Sequence, residues 1–154
     1  MKTTRQWLEE YGESHQNPTN KLVHWICVPL IFFSVVGFFY GIRLPVLLGP
    51  NLPLNVAMIL LVGVTIYYFT LSRPLSVGMA LFSLICLILW QQIVAAGFTP
   101  WKVAAVLFVL AWIGQFWGHR VEGKKPSFFK DLQFLMIGPM WLMHFIYRKL
   151  GIGY

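Results

Sequence analysis

The sequence predicts an all-α polytopic membrane helix bundle with about four transmembrane helices, and three observations carry that prediction. Of the 154 residues, 58% are hydrophobic and only 11% are charged, against roughly 25% charged in a soluble domain. The apolar residues gather in four runs, at 22–42, 54–71, 75–96 and 101–117, each close to the ~20 residues needed to cross the hydrocarbon of a bilayer. The charges, net +7, lie between and beyond those runs, where basic side chains meet anionic headgroups. Residues 1–154 are read as a single membrane domain.

Residues 3–16 read as an amphipathic helix. Trp7, Leu8, Tyr11 and His15 recur at helical spacing on one face, with Glu9, Glu10 and Glu13 mostly on the other. The apolar face is expected to lie along the membrane surface. Asn17-Pro18 ends the helix, because a residue before proline is pushed out of the α region. Asn20 is the expected N-cap of the first span, and Pro29 is expected to kink that span. A turn region containing Pro45, Gly49, Pro50 and Pro53 leads to the second span. Ser72-Arg73-Pro74 and Gly97 to Pro100 make the next two turns. After a polar stretch at 120–130, residues 132–147 form a shorter apolar run interrupted by Gly138-Pro139. Its length predicts an interfacial or re-entrant segment. Met1 to Lys21 is polar, so no cleavable signal is expected and the first span would direct insertion.

Four spans put both termini on one side. That side then holds Lys2, Arg5, Lys21, Arg73, Arg120, Lys124, Lys125, Lys130, Arg148 and Lys149, and the other holds only Arg43 and Lys102. Ten against two predicts cytoplasmic termini. Nucleic acid is not an expected partner, since no basic stripe alternates with exposed aromatics. Cys27 and Cys86 lie within apolar runs and read as small hydrophobes.

The same topology brings all four histidines, His15, His24, His119 and His144, toward the cytoplasmic mouth. Titratable groups at membrane depth are costly and tend to mark function. Gln115, His119 and Glu122 share a helical face, and His119-x-x-Glu122 has the spacing by which one helix offers two groups to a metal. Tyr11 shares a face with His15. Asn17 and Asn20 are placed to hydrogen-bond imidazole nitrogens that do not bind metal. A lone interfacial histidine is ordinarily a satisfied polar residue; the combination points to a metal centre. Histidine and carboxylate without thiolate suit non-haem iron or zinc. Arg120, Lys124 and Lys125 meet lipid headgroups or, alternatively, hold a substrate carboxylate. Gly114-x-x-x-Gly118 offers a small-residue face for close helix packing. A zinc-dependent lipid hydrolase and a non-catalytic membrane scaffold or lipid-binding protein remain alternatives to an iron enzyme.

Two motifs together resemble a known family. One is Tyr11-x-x-x-His15-x-Asn17-x-x-Asn20-x-x-x-His24-Trp25-x-x-Val28-Pro29. The other is Gln115-x-x-Gly118-His119-x-x-Glu122-x-x-x-Pro126, followed by Gly138-Pro139. The pattern is similar to that of small membrane proteins whose yeast member is an iron-dependent dioxygenase of 2-hydroxy fatty acids. The resemblance implies an Fe(II) enzyme of α-oxidation that shortens a 2-hydroxy fatty acid by one carbon using O2, in a bacterial inner membrane or the endoplasmic reticulum. It places the metal on His15, His24 and His119, with Glu122 a motif residue of open role. His144 lies outside the motif and joins the metal candidates through topology alone. Tyr11, Gln115 and Glu122 are the catalytic candidates; Arg120, Lys124, Asn17 and Asn20 are the candidate substrate contacts.

Overall fold

The computed structural model describes residues 3–13, 15–50, 52–123 and 134–154. Helix α1 (Thr4–Gly12) starts with a capping box in which the Thr3 side chain and Gln6 satisfy each other's backbone amides. Its buried residues, Leu8 and Tyr11, belong to a core cluster with Ile137, Met140 and Trp141. The face expected to meet lipid therefore packs on protein. Helix α2 (Pro18–Tyr40) is capped by Asn17, whose side chain accepts from the Thr19 and Asn20 amides. This corrects the expectation that Asn20 is the cap. Pro18 takes the first helical position, where its missing N–H costs nothing, so the cap falls one residue before it.

A second correction follows α2. The Pro/Gly-rich connection is an antiparallel hairpin, β1 (Arg43–Gly49) with β2 (Leu52–Asn55), with irregular register. Pro45 and Pro53 argue against a strand in a wide sheet, but a two-stranded hairpin consists only of edges, where proline is tolerated. Asn55 and Ser72 then cap helices α3 (Val56–Leu71) and α4 (Arg73–Ala95). Helix α5 (Pro100–Glu122) ends at Gly123, whose φ of 74° lies in the left-handed region that favours glycine. Helix α6 (Ile137–Lys149) completes the chain. Gly138-Pro139 lies in its first turn and opens the helix, where a proline displaces no helical donor; the expected interruption of the run is not there.

The molecule is an all-α membrane helix bundle. Helices α2, α4 and α5 have 23 residues each and are apolar enough to cross a membrane; at 1.5 Å per residue each spans roughly 34 Å. Helix α3, also apolar, has 16 residues. Helix α6, with 13, reaches only about 20 Å, short of a crossing. Outward residues such as Val62, Ile66, Leu81, Ile85, Leu110 and Ile113 are exposed, which is how a lipid-facing surface reads. The most extensive helix contact is α2 on α5. A Cβ on Gly114 would lie 2.6 Å from Cys27 Sγ, and one on Gly118 would lie 2.5 Å from Asn20 Oδ1. The two glycines let the helix backbones approach where the first and fourth expected spans meet.

Candidate metal centre

Three segments converge at the end of the α2–α5 seam. His15 follows α1, His24 lies in the second turn of α2, and His119 lies in the last turn of α5. All three are at least 95% buried. Their ring centroids are 4.1 Å (His15–His24), 5.0 Å (His24–His119) and 5.6 Å (His15–His119) apart. One nitrogen from each lies within 4.8 Å of the other two.

Backbone carbonyls orient two of the rings. His15 Nδ1 donates to Tyr11 O at 2.5 Å, and His24 Nδ1 donates to Asn20 O at 2.9 Å. A carbonyl can only accept, so both Nδ1 atoms carry the proton and Nε2 is left as the ligating atom. This is the tautomer and second-atom partner typical of metal-binding histidine. A donor set of three buried imidazoles fits iron or zinc. Ligands on a tetrahedral ion at ~2.1 Å sit roughly 3.4 Å apart, so ring movements of about an ångström close the site. Aromatic rings cover His15: Tyr11 stacks on it at 4.3 Å, and Trp141 of α6 lies 5.3 Å away.

Glu122 does not join this group. Its Oε1 accepts from the Gln16 amide at 2.8 Å, and its Oε2 accepts from the Asn17 amide at 2.9 Å and from Asn20 Nδ2 at 3.0 Å. One carboxylate on the helix of His119 thus holds the segment after His15 and the first turn of the His24 helix. Asn17 and Asn20 hold this framework, the Asn17 side chain by capping α2 and the Asn20 side chain by donating to Glu122, where the spacing pointed to bonds with imidazole nitrogens. The Asn20 main chain makes that bond for His24.

His144 also lies outside the trio. Its Nδ1 donates to Trp141 O at 2.8 Å, and its ring sits against Phe145 and Tyr154. Burial lowers its pKa below the usual imidazole value; the Trp141 carbonyl opposes that, and the charge of Arg148 adds to it. Gln115, one turn before His119, is buried, and its Oε1 has no hydrogen-bond partner among the described residues. With Tyr11 it lines a cavity of about 10 Å³ whose other walls include Val28, Ile31 and Trp112, room for about one water. Arg120 is exposed at the end of α5; Lys124 and Lys125 lie outside the described residues. Sequence reading missed Trp141, because an aromatic in an apolar run looks the same whether it faces lipid or a histidine.

The family model for 2-hydroxy-palmitic acid dioxygenase Mpo1-like proteins matches residues 1–150. The chain belongs to this family. It is 32% identical over 151 residues to 2-hydroxy-palmitic acid dioxygenase MPO1 of Saccharomyces cerevisiae, covering 96% of this chain and 81% of the yeast protein. No solved structure matches. In this Mpo1-like chain, both motifs that carried the resemblance meet at the same place: His15 and His24 come from one and His119 from the other. A three-histidine group is the common product of two segments about a hundred residues apart.

Proposed function

We propose that this protein is an Fe(II)-dependent dioxygenase that uses O2 to shorten 2-hydroxy fatty acids by one carbon, with both termini in the cytoplasm. The observation that carries the reading is the buried trio His15, His24 and His119, two of whose rings are held with Nε2 as the ligating atom. The family and the yeast relative's name support the substrate class and the reaction. When bound by the three imidazoles, Fe(II) supplies redox chemistry toward O2 and a Lewis-acid template for the substrate hydroxyl and carboxylate.

The protein's own groups do the rest. Tyr11 and Trp141 keep water from His15. Gln115 Oε1 accepts the substrate hydroxyl at the boundary between the trio and the apolar cavity. The alkyl tail continues past Val28, Ile31 and Trp112, parting side chains that now leave room for one water. Arg120, exposed on the helix of His119, attracts the carboxylate. Glu122 positions all three ligands without touching the substrate.

Three histidines with an open position also form a catalytic zinc site, which is the specific observation favouring a zinc lipid hydrolase as the second reading. Metal analysis separates the two. Purified wild-type protein should hold about one iron per chain, and His119→Ala should lose both the iron and the O2-dependent turnover of 2-hydroxypalmitate. Zinc in place of iron, with turnover independent of O2, would overturn the dioxygenase reading. Unchanged metal content in His119→Ala would overturn the site.

A further inference from the structure

A second polar site lies beside α6 and is not part of the histidine trio. The start of α1, the α3–α4 turn, α6 and Tyr154 enclose a cleft of about 1220 Å³. Arg5, Arg73 and Arg148 reach it from three different segments, and His144 lines its wall. His144 is 91% buried, and because its Nδ1 donates to Trp141 O, its Nε2 is the ring atom available to a ligand.

The charge in this cleft is not balanced. Arg5 shares Glu9, at 3.9 Å between Nε and Oε1, and the Glu9 carboxylate also lines the cleft. Among the described residues Arg73 and Arg148 have no carboxylate partner; Arg73 lies over the Phe69 ring. Both arginines are exposed, so two solvated guanidinium groups without carboxylate partners give this cleft a positive field that favours an anion. Leu8 and Phe145 supply apolar surface to the same cleft.

We propose that this cleft binds a phosphate-bearing anion, the headgroup of an anionic membrane phospholipid. Guanidinium groups from separate helices suit a tetrahedral phosphate, which presents oxygens in several directions out of one plane. The apolar surface beside the arginines suits the glycerol and upper acyl carbons of a lipid. Glu9 disfavours any anion near Arg5, so the phosphate is held between Arg73 and Arg148. A soluble phosphate ester offers the same head without the tail, and the experiment separates the two.

The test is native mass spectrometry of the full-length, metal-loaded protein in mild detergent, offered phosphatidylglycerol, phosphatidylcholine, glycerol 3-phosphate or palmitate. Wild type should retain one phosphatidylglycerol at least tenfold in preference to phosphatidylcholine. The Arg73→Gln/Arg148→Gln variant should lose at least fivefold of that preference while keeping its metal stoichiometry, which reports an intact trio. If the double variant does not fold, each single variant should show a smaller loss. Displacement of the lipid by millimolar glycerol 3-phosphate would keep the phosphate site and assign it to a soluble ester. Equal retention by wild type and variants, or displacement by palmitate alone, overturns the proposal. Metal content is read separately, so failure here leaves the dioxygenase reading standing and the reverse also holds.

Discussion

At the end of the bundle that carries the histidines, one carboxylate ties segments together, Glu122 holding the amides of residues 16 and 17, and three rings are each tied to a backbone carbonyl of their own segment: His15 to Tyr11, His24 to Asn20, His144 to Trp141. At the opposite end the ties are fewer and close pairwise. Trp90 is fully buried, donates from Nε1 to Phe33 O and lies where a Cβ on Gly37 would sit; Tyr40 donates to Gln91 Oε1. Between Trp25 and Gly118 the chain has no Asp, Glu or His. The difference separates two tasks. The hairpin end needs packing, with two side-chain hydrogen bonds between helices. The histidine end must hold three imidazoles in register, and does so with hydrogen bonds that also fix backbone.

The comparison predicts that damage at the two ends will differ in kind. Trp90→Ala empties a fully buried site and should have the largest effect on stability. Expected is a loss of about 3 kcal/mol, the low end for deleting a buried tryptophan, because the exposed apolar surface in a membrane loses little to water. Metal stoichiometry should not change. Thermal unfolding in detergent beside metal analysis checks both; loss of metal in this variant would mean that the two ends are coupled.

Gly118→Ala should behave differently at a smaller stability cost. The new Cβ would meet Asn20 Oδ1 at 2.5 Å and Val23 Cγ1 at 3.2 Å, so α2 and α5 must separate. Overpacking of this size costs about 1–3 kcal/mol. Asn20 supplies the carbonyl for His24 and the amide for Glu122, so metal affinity should fall with stability. Chelator competition measures this, and an unchanged affinity would show that the seam and the site are independent.

What could be read in the sequence follows the same division. The three histidines that gather, the apolar runs and the Gly114–Gly118 face are local patterns, visible as spacing. The hairpin was hidden because Pro45 and Pro53 are negative evidence for a strand except at an edge. The role of Glu122 was hidden for another reason. Its partners lie more than a hundred residues away in the chain, and helical spacing to His119 suggested a metal ligand when the carboxylate faces backbone amides. His144 shows the limit of topology: it reaches the correct end of the bundle but lines a separate cleft, outside the trio. Burial of α1 against α6 was equally illegible, because an amphipathic face is the same whether lipid or protein covers it.

Glu122→Gln gives the smallest effect and the sharpest reading. The carboxylate accepts three N–H bonds across two oxygens. A glutamine keeps one acceptor oxygen and turns an NH₂ group toward at least one backbone amide, so at least one bond is lost while the shape is retained. Losing a partner that positions metal ligands costs roughly 10–100-fold in metal affinity, and the near-isosteric change should sit at about tenfold. Glu122→Ala, which removes every bond, should cost more. The test that separates positioning from ligation is spectroscopic: with cobalt bound at the site, Glu122→Gln should leave the visible absorption of the three-imidazole set unchanged while weakening its retention. A changed spectrum would put the carboxylate on the metal, and the end of the bundle would then be a four-ligand site in place of three ligands and a clamp.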